Sequence, residues 1–233
     1  MENNSRIYKY DTSFKLFFDT EFTGLHKNTN LISIGIVSLY GDVFYAEFTD
    51  YDNSMVDEWI EENVIKHRFL KSDIIIDKYH QCIRGSKKYI SEKLLNWLND
   101  IYTNAINAEF DNIQFISDVS HYDFMLLIDL LGKTAFDLPH YVSPVCHDIN
   151  QDIATYYDIT DIEAFDKNRE ESALSIINES SKTLTETIDF IKNNNFKHNS
   201  LYDANIIMVL HQLIYDARNI FINKKPFINM GII

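Results

Sequence analysis

A chain of 233 residues with 45% hydrophobic residues can bury one sizeable core, and this length favours one domain over two. The 35 acidic residues outnumber the 21 basic ones and give a formal net charge of -14, which argues against a protein that grips long duplexes through a basic face. The two cysteines have no partner at zinc-finger spacing, so the sequence indicates neither a disulfide framework nor a zinc knuckle.

No apolar run approaches the roughly 18 to 20 residues that a membrane span needs, and the first residues are polar rather than a basic and then apolar leader. We therefore expect a soluble, cytoplasmic protein with no membrane association. The acidic charge leaves two interpretations of any phosphate chemistry. Either a divalent metal at a carboxylate cluster holds phosphate locally, or the substrate is not a nucleic acid, and composition does not decide between them.

The chain begins with the pattern of an antiparallel meander. Residues Leu16 to Phe22 are typical of a strand, and Leu31 to Leu39 are apolar on both faces, which predicts a central strand. Gly41 and Asp42 suit a two-residue hairpin turn into a third strand at Val43 to Phe48.

A βα pattern follows the meander. Helical spacing covers Met55 to His67 and Ser86 to Tyr102, and a short strand is predicted at Asn112 to Ser117. A helix at His121 to Leu131 ends at a glycine, and a fifth strand is predicted at Tyr141 to Cys146. These elements predict an α/β fold with a mixed five-stranded sheet, in which parallel βα units follow the three-stranded meander and helices flank the sheet.

The last third of the chain is less regular. Asp148 can cap a helix that runs to about Tyr157, and a polar insertion with weak helical signal covers about 158–197. The last clear helix is predicted at Ser200 to Arg218, before an apolar tail at 219–233. Nothing marks an internal boundary, so we expect one domain over 1–233 with its core at about 14–218.

Two carboxylates occupy one face of the first strand. Residues two apart in a strand point the same way, so Asp19 and Glu21 project together from a strand that is otherwise largely apolar. Such a pair repels by several kcal/mol unless a cation or a proton lies between them. The alternative for the pair alone is a solvated strand end.

Two further carboxylates head the apolar stripes of predicted helices. Asp123 and Asp203 each begin a stripe at helical spacing, which places each carboxylate at the inner N-terminal end of its helix. Ser120 and Ser200 lie three residues earlier, so an acidic variant of the capping box explains each aspartate singly. Capping does not explain why two helices and a strand direct carboxylates toward one point.

Four such carboxylates form a set of hard oxygen ligands that suits Mg²⁺ or Mn²⁺ better than zinc. Two ions can activate a water and stabilise the leaving oxygen of a phosphoryl displacement. His198 lies five residues before Asp203, in the loop that enters the helix, and a histidine that titrates near neutral pH is suited to be the general base. A loop histidine by itself is more often a surface residue.

The order and spacing of three motifs resemble those of the DEDDh exonucleases, a group of the RNase H-like superfamily that includes proofreading exonucleases, RNase T and oligoribonuclease. The motifs are DTEFTG at Asp19 to Gly24, HYDFMLL at His121 to Leu127 and HNSLYDA at His198 to Ala204. LISIG at Leu31 to Gly35 is similar to small bacterial and phage exoribonucleases. CHDINQDIA at Cys146 to Ala154 is similar to a segment after the family's fifth strand.

The resemblance implies an RNase H-like fold and a metal-dependent 3′-to-5′ exonuclease that releases nucleoside monophosphates. It implies two Mg²⁺ ions, for which Mn²⁺ can substitute, bound by Asp19, Glu21, Asp123 and Asp203, with His198 as the base. It also places the residues after the first motif's glutamate beside the 3′ nucleotide. The implied substrate-binding residues are Phe22, Thr23, Gly24, Leu25 and Phe124, although core packing is the alternative for both phenylalanines.

The implied partners are RNA or DNA 3′ ends, and the acidic surface favours short or single-stranded RNA over duplex. A homodimer is compatible with the resemblance, because several relatives pair and because the apolar tail needs cover. Two other classes remain open: a catalytically silent module that binds nucleic acid or protein, and a phosphatase or nucleotide hydrolase with the same metal chemistry.

The sequence departs from the family pattern ahead of the second motif. Many relatives carry His-Asn there, whereas this chain has Ser117, Asp118 and Val119. Asp118 is interpreted as a substrate contact, an alternative metal ligand or a polar residue at a strand end. The insertion at about 158–197 is longer than small relatives need, and a lid or a dimer contact are its two candidate roles.

Overall fold

The computed structural model describes residues 12–132, 134–179, 184–193 and 196–217. Among them, seven strands form one sheet. The strands are β1 (Ser13–Phe22), β2 (Leu31–Ser38), β3 (Val43–Phe48), β4 (Ile74–Ile75), β5 (His80–Gly85), β6 (Asn112–Ser117) and β7 (His147–Asp148). The α-helices are α1 (Glu58–Asn63), α2 (Lys87–Asn107), α3 (His121–Leu131), α4 (Ile149–Tyr157), α5 (Asp161–Phe165), α6 (Arg169–Glu179), α7 (Thr185–Asn193) and α8 (Ser200–Ala217). No helix within these residues is long and apolar enough to cross a membrane.

The sheet has the strand order β4-β5-β3-β2-β1-β6-β7. Strands β1, β2 and β3 form the predicted antiparallel meander, and β6 and β7 add to β1 in parallel. Every residue of β2 is buried, as expected for a strand at the middle of a sheet with both faces covered. The predicted α/β class and the succession of meander and parallel strands are confirmed.

The sheet contains two more strands than the five that the sequence predicts. β5 pairs in parallel with the outer edge of β3, and β4 pairs with β5 in antiparallel fashion. β4 is the edge strand, β5 lies between β4 and β3, and β5 carries polar side chains at several positions, as in His80, Gln81 and Arg84. Neither the alternation nor the apolar run of a buried strand marks them in the sequence.

The fifth strand predicted at Tyr141 to Cys146 is wrong. In this stretch, Val142 makes one isolated parallel bridge to Ile113, and the strand β7 follows only at His147. Pro144 explains the difference, because a proline nitrogen has no hydrogen to donate to a neighbouring strand. Pairing with β6 therefore resumes only beyond the proline.

The helices lie close to the predicted positions, but the lengths of several differ from the prediction. α3 ends at Gly132 and α4 follows the cap Asp148, as predicted. The helical pattern at Met55 to His67 contains only the six residues of α1 between two short 3-10 turns, and α2 extends five residues beyond its predicted end at Tyr102. The insertion at 158–197 holds α5, α6 and α7, whereas the tail at 219–233 lies outside the described residues.

Two cores lie on opposite faces of the sheet because alternate residues of β1 point in opposite directions. Phe14, Leu16 and Phe18 pack with α2 and α3, on the side of the fully buried Trp97. Phe17 packs on the other face, with α4, α6 and α8. Asp19 and Glu21 continue the series of Phe17, so both carboxylates point toward the face that α8 covers.

α8 lies directly on β2 at its N-terminal end. A methyl group at Gly35 would come within 2.4 Å of both the Ser200 carbonyl oxygen and the Leu201 nitrogen, so only glycine permits this approach. Ser33 lies two residues before Gly35 on the same face of β2, and its hydroxyl forms a hydrogen bond of 2.9 Å with the Ser200 hydroxyl. Gly35 is the β2 partner of Asp19, so this contact brings the first turn of α8 beside the carboxylates of β1.

We predict that Gly35→Ala lowers the free energy of unfolding by about 3 kcal/mol, the upper end of the usual cost of overpacking, because the added methyl meets backbone that cannot rotate away. Chemical denaturation of the two proteins measures this difference. Gly85→Ala is the matched control, because the nearest atoms there belong to the Tyr89 ring, which can move. Equal losses in the two variants would show that α8 does not depend on the close approach.

Candidate active site

A cavity of about 620 Å³ opens at the C-terminal end of β1. Its walls come from β1, the region of α1, the turn after β6, the starts of α3 and α8, and the insertion. The charged residues that line it are Asp19, Glu21, Asp57, Asp118, Asp123, Lys167, Arg169, Glu170, Lys197, His198 and Asp203. The four predicted carboxylates and the predicted histidine therefore lie around one space.

Asp19 and Glu21 enter the cavity from β1, where both are partly buried. Burial raises the pKa of each carboxyl well above its usual range, and neighbouring carboxylates raise it further. The strongest neighbour is Asp123 for Asp19 and Asp203 for Glu21. The pair is therefore not a solvated strand end, which was the alternative interpretation of the sequence.

Asp123 is buried and is held by β1. Its Oδ1 accepts a hydrogen bond of 3.0 Å from the backbone nitrogen of Thr20 and a second one from the Thr20 hydroxyl. Burial raises the pKa of Asp123 to about 6, and the two bonds from Thr20 oppose that rise. Thr20 lies between Asp19 and Glu21, so Asp123 is bound to the strand segment that carries the other two carboxylates.

The capping explanation of Asp123 and Asp203 is wrong. The Ser120 side chain makes no capping hydrogen bond to α3. The Ser200 hydroxyl binds Ser33 instead of its own helix. α8 is capped by Asn199, whose Oδ1 accepts from the nitrogens of Leu201 and Tyr202 at 3.1 and 3.3 Å.

Asp203 occupies the first turn of α8, and its Oδ2 accepts a hydrogen bond of 3.0 Å from the backbone nitrogen of His198. Burial raises the pKa of Asp203 to about 8, and Glu170 of α6 adds to the rise. The His198 amide opposes this rise, as expected for a donor that favours the charged carboxylate.

His198 stands close to two of the carboxylates. One ligand atom from each of Glu21, His198 and Asp203 lies within 4.8 Å of the other two. The His198 backbone has φ +65°, the left-handed conformation, and its ring makes an edge contact with Trp59 at 5.1 Å between centroids. Burial lowers the pKa of His198, and Lys197 lowers it further, so the imidazole is neutral at neutral pH.

The loop that carries His198 is fixed from outside the cavity. The Asn199 side chain donates to the Tyr45 hydroxyl at 3.2 Å and to the His67 carbonyl at 3.0 Å. The His67 ring in turn bonds the Lys197 carbonyl at 2.8 Å. These bonds on both sides of His198 account for its left-handed backbone, which is unfavourable for a residue with a side chain.

A divalent cation fits this group of residues. Like charges within 4.8 Å of each other repel by about 3.5 kcal/mol or more at an effective dielectric constant near 20, and a bound cation offsets that repulsion. Carboxylate oxygens at the ends of β1, α3 and α8 are hard ligands of the kind that Mg²⁺ and Mn²⁺ prefer. The site can therefore hold a metal ion beside a neutral imidazole, a combination suited to metal-assisted hydrolysis.

The family model described as the 3'-5' exoribonuclease Rv2179c-like domain matches residues 14–214. The chain belongs to this family. The 3′-to-5′ exonuclease relationship that the three sequence motifs predict is thereby confirmed. The match begins in β1 and ends in α8, so it contains every residue of the cavity described above.

Two solved structures align with this chain. The Neurospora crassa Pan2 catalytic unit, described as a protease and nuclease domain, aligns over 94% of this chain at 14% identity with a TM-score of 0.48. The yeast NOT1 MIF4G domain co-crystallized with CAF1 aligns over 87% at 15% identity with a TM-score of 0.43. The chain spans 29% of the first of these structures and 81% of the second. A search of curated proteins finds no match.

In this member of the family, the predicted substrate-binding residues divide into two groups. Phe22, Gly24 and Leu25 line the cavity, and Leu25 is 76% exposed. Thr23 is buried and its hydroxyl accepts from the Asn30 nitrogen at 2.9 Å, so it fixes the loop after β1. Phe124 packs against the core beside α2 and α3 and is not among the residues that line the cavity.

Several residues of the cavity were not predicted from the sequence as substrate-binding or catalytic residues. Asp118, noted for its departure from the family pattern, forms a bidentate ion pair with Arg169 at 2.7 and 2.8 Å. Trp59, Phe165 and Lys167 also line the cavity, from α1 and the insertion. Trp59 and Phe165 are 54% and 57% exposed. An aromatic residue at a position where a helix would otherwise be polar is the sequence feature that could have identified them.

We predict that the metal-free protein loses stability as the pH rises from 7.0 to 8.5. Folding raises the pKa of Asp203 to about 8, so the folded protein retains a proton that the unfolded chain has released. That stabilisation is complete below about pH 4, the ordinary aspartate pKa, and is lost as the pH passes the folded value. The melting temperature in EDTA measures it.

Asp203→Asn is the control for this prediction, because the amide keeps the shape and does not titrate. Its melting temperature should fall less than that of the original protein over the same pH interval. His198 and His211 do not disturb this comparison, because burial lowers the pKa of each imidazole and both are already neutral at pH 7. Identical pH profiles for the two proteins would contradict the raised pKa of Asp203.

Proposed function

We propose that this member of the exoribonuclease family is a metal-dependent enzyme that hydrolyses RNA from the 3′ end, with Asp19, Glu21, Asp123 and Asp203 as metal ligands and His198 as general base. One observation carries the proposal. Four carboxylates from three separate elements meet a neutral imidazole in a single cavity, at a cost in repulsion that a structural role does not explain.

The metal ligands would be the carboxylates of β1 with Asp123 and Asp203 on either side. Two bound Mg²⁺ or Mn²⁺ ions would activate a water molecule and neutralise charge on the scissile phosphate. Thr20 contributes by binding Asp123, because its two hydrogen bonds fix the orientation of that carboxylate relative to β1. The carboxylate of Asp203 is oriented by the His198 amide in the same way.

His198 would take a proton from the attacking water. Its lowered pKa keeps the ring able to accept that proton at neutral pH, and its closeness to Glu21 and Asp203 places it at the metal ligands. The edge contact with Trp59 restricts rotation of the ring. Attack on phosphorus with departure of the 3′ oxygen of the preceding nucleotide would release a nucleoside 5′-monophosphate.

The family description supports RNA as the substrate, and the charge of the chain supports a short or single-stranded 3′ end. A formal charge of -14 provides no field that attracts long polyanions, so contacts within the cavity must supply the affinity. Phe22, Gly24 and Leu25 would lie beside the terminal nucleotide, where Gly24 leaves room for a close approach and exposed Leu25 offers an apolar surface to a base.

We predict that Asp19→Asn lowers kcat about 1,000-fold or more, because loss of a metal ligand removes several kcal/mol of transition-state stabilisation. The measurement uses 5′-labelled RNA and DNA, single-stranded and with a 3′ overhang, with Mg²⁺ and with Mn²⁺. The label should appear in a ladder of progressively shorter strands, the unlabelled products should be nucleoside monophosphates, and EDTA or a 3′-terminal phosphate should prevent both.

Asp129→Asn is the matched control, because Asp129 is an exposed aspartate of α3 outside the cavity. It should keep the activity of the original protein. Cleavage of a circular RNA, or full activity of Asp19→Asn, would contradict the proposal. Hydrolysis of free nucleotides without cleavage of oligomers would indicate a nucleotide hydrolase, and RNA binding without cleavage in either metal would indicate a binding module.

We predict that His198→Ala lowers kcat by about 100- to 10,000-fold, the usual contribution of a general base. The Mg²⁺ concentration at half-maximal activity should change much less, because the carboxylates remain. The pH profile separates this role from a structural one: the acid limb of kcat should flatten in the variant. His140→Ala, an exposed histidine outside the cavity, is the control, and an acid limb that persists in His198→Ala would assign the base to another residue.

A further inference from the structure

The cations that line the cavity all come from the insertion at 158–197. They are Lys167, Arg169 and Lys197, whereas the described residues that line the cavity from β1, α1, the turn after β6, α3 and α8 include no lysine or arginine. Among the residues that the structure describes, the part of the domain that carries the carboxylates therefore contributes no lysine or arginine to the cavity wall. The insertion is the source of positive charge at this site.

Arg169 is occupied by contacts within the protein. Its guanidinium forms the bidentate pair with Asp118 and donates to the Asn150 side-chain oxygen at 2.7 Å. It also donates to the carbonyl oxygens of Ala164, at 3.0 Å, and of Lys167. The guanidinium thus joins the segment 164–167 to the end of β6, and it is a positioning group, not a free phosphate ligand.

This junction lies beside the metal ligands. Asp118 directly follows β6, and the next residue, Val119, lines the cavity with φ +50°. A positive φ is strained for a β-branched residue and persists only where neighbouring contacts hold it. The Ser120 nitrogen donates to Asp148 at 3.1 Å, which fixes the turn from its other side before α3 delivers Asp123.

The segment that Arg169 holds presents two groups to the cavity. Phe165 lines the cavity and is 57% exposed, although the preceding Ala164 is fully buried and anchors α5. Lys167 is half-buried, and its Nζ lies 4.6 Å from the centre of the Tyr157 ring. That contact leaves the ammonium charge in place while it limits the positions of the side chain.

We propose that Phe165 and Lys167 form a strand-binding wall, in which the Phe165 ring stacks on a base of single-stranded RNA and the Lys167 ammonium contacts a phosphate. Arg169 positions both groups through its bonds to Ala164, Lys167 and Asp118. This inference rests on the proposed function, because it takes the RNA 3′ strand as the occupant of the cavity. An aromatic face and a single cation suit a strand bound without regard to sequence.

The test measures RNA affinity in the full chain with Asp19→Asn, so that no cleavage occurs. Fluorescence anisotropy follows a 5′-fluorescein single-stranded RNA heptamer in Mg²⁺. Adding Phe165→Ala should raise Kd about ten-fold, the usual effect of losing one base stack, and Phe165→Tyr should restore the affinity. Ile162→Ala is the matched control, because Ile162 is a 76% exposed apolar residue of the same helix that does not line the cavity.

The salt dependence of RNA binding tests Lys167 separately. The dependence of log Kd on log salt should become shallower by about 0.7 in Lys167→Gln, the amount that corresponds to one phosphate contact on a single strand. Arg169→Gln should weaken binding in the original wall and add little once Phe165→Ala and Lys167→Gln are both present, because it acts through the positions of those two groups. A further loss of affinity on adding Arg169→Gln to that double variant would assign Arg169 a contact of its own and overturn its positioning role.

Equal affinities of Phe165→Ala and Ile162→Ala, or no RNA affinity in the Asp19→Asn parent, would overturn the wall. Cleavage is scored separately, on the chain without the Asp19 change. Failure of that chain to cleave RNA, together with an affinity that still depends on Phe165, would overturn the proposed activity and leave the wall. Cleavage of RNA together with an affinity that does not depend on Phe165 would overturn the wall and leave the proposed activity.

Discussion

The contact between α8 and β2 at Gly35 determines the geometry of the site. Asp203 can reach the β1 carboxylates only because the backbone of α8 lies against a strand residue that has no side chain. The Ser33 and Ser200 hydroxyls and the Asn199 cap then fix the helix at that point. Because α8 is buried along most of its length, a shift at its first turn would disturb packing with α4 and α6 as well. The position of one carboxylate is therefore secured by the core and not by a surface loop.

The carboxylates remain together against their mutual repulsion because other interactions determine where each one lies. Asp123 is tied to Thr20, Asp203 to the His198 amide, and Asp19 and Glu21 to a paired strand. None of these interactions supplies a positive charge to balance the carboxylates. The pKa values of Asp19 and Asp203 are therefore raised. Buried Asp152 has different neighbours, because it lies 2.9 Å from His211 and 3.1 Å from His147. Burial raises the pKa of Asp152, but its interactions with the two imidazoles outweigh that effect and hold the pKa below its usual range.

The sequence predicted those parts of the fold and site that depend on periodicity within one element. Alternation in β1 placed Asp19 and Glu21 on one face, and helical spacing placed Asp123 and Asp203 at inner helix ends. It did not predict β5, whose pairing with β3 joins segments that are distant in the sequence, or the effect of Pro144 on the strand before β7. The capping role assigned to Ser200 failed for a similar reason, because its actual partner, Ser33, is 167 residues away in the sequence. Pairings over such distances leave no local pattern.

The same limit explains why the insertion gave so little signal. Its polar residues resemble a solvated surface when taken one at a time, and Arg169 gains its role only from Asp118, which is 51 residues earlier. An isolated ion pair at a surface contributes little to stability, but this pair is largely buried and also binds two backbone carbonyls and an asparagine. The main effect of the Arg169–Asp118 pair is to position neighbouring parts of the chain. It holds the chain segment with Phe165 and Lys167 against the turn that precedes Asp123, so under the proposed function the insertion brings positive charge to the place where a phosphate would approach the four carboxylates.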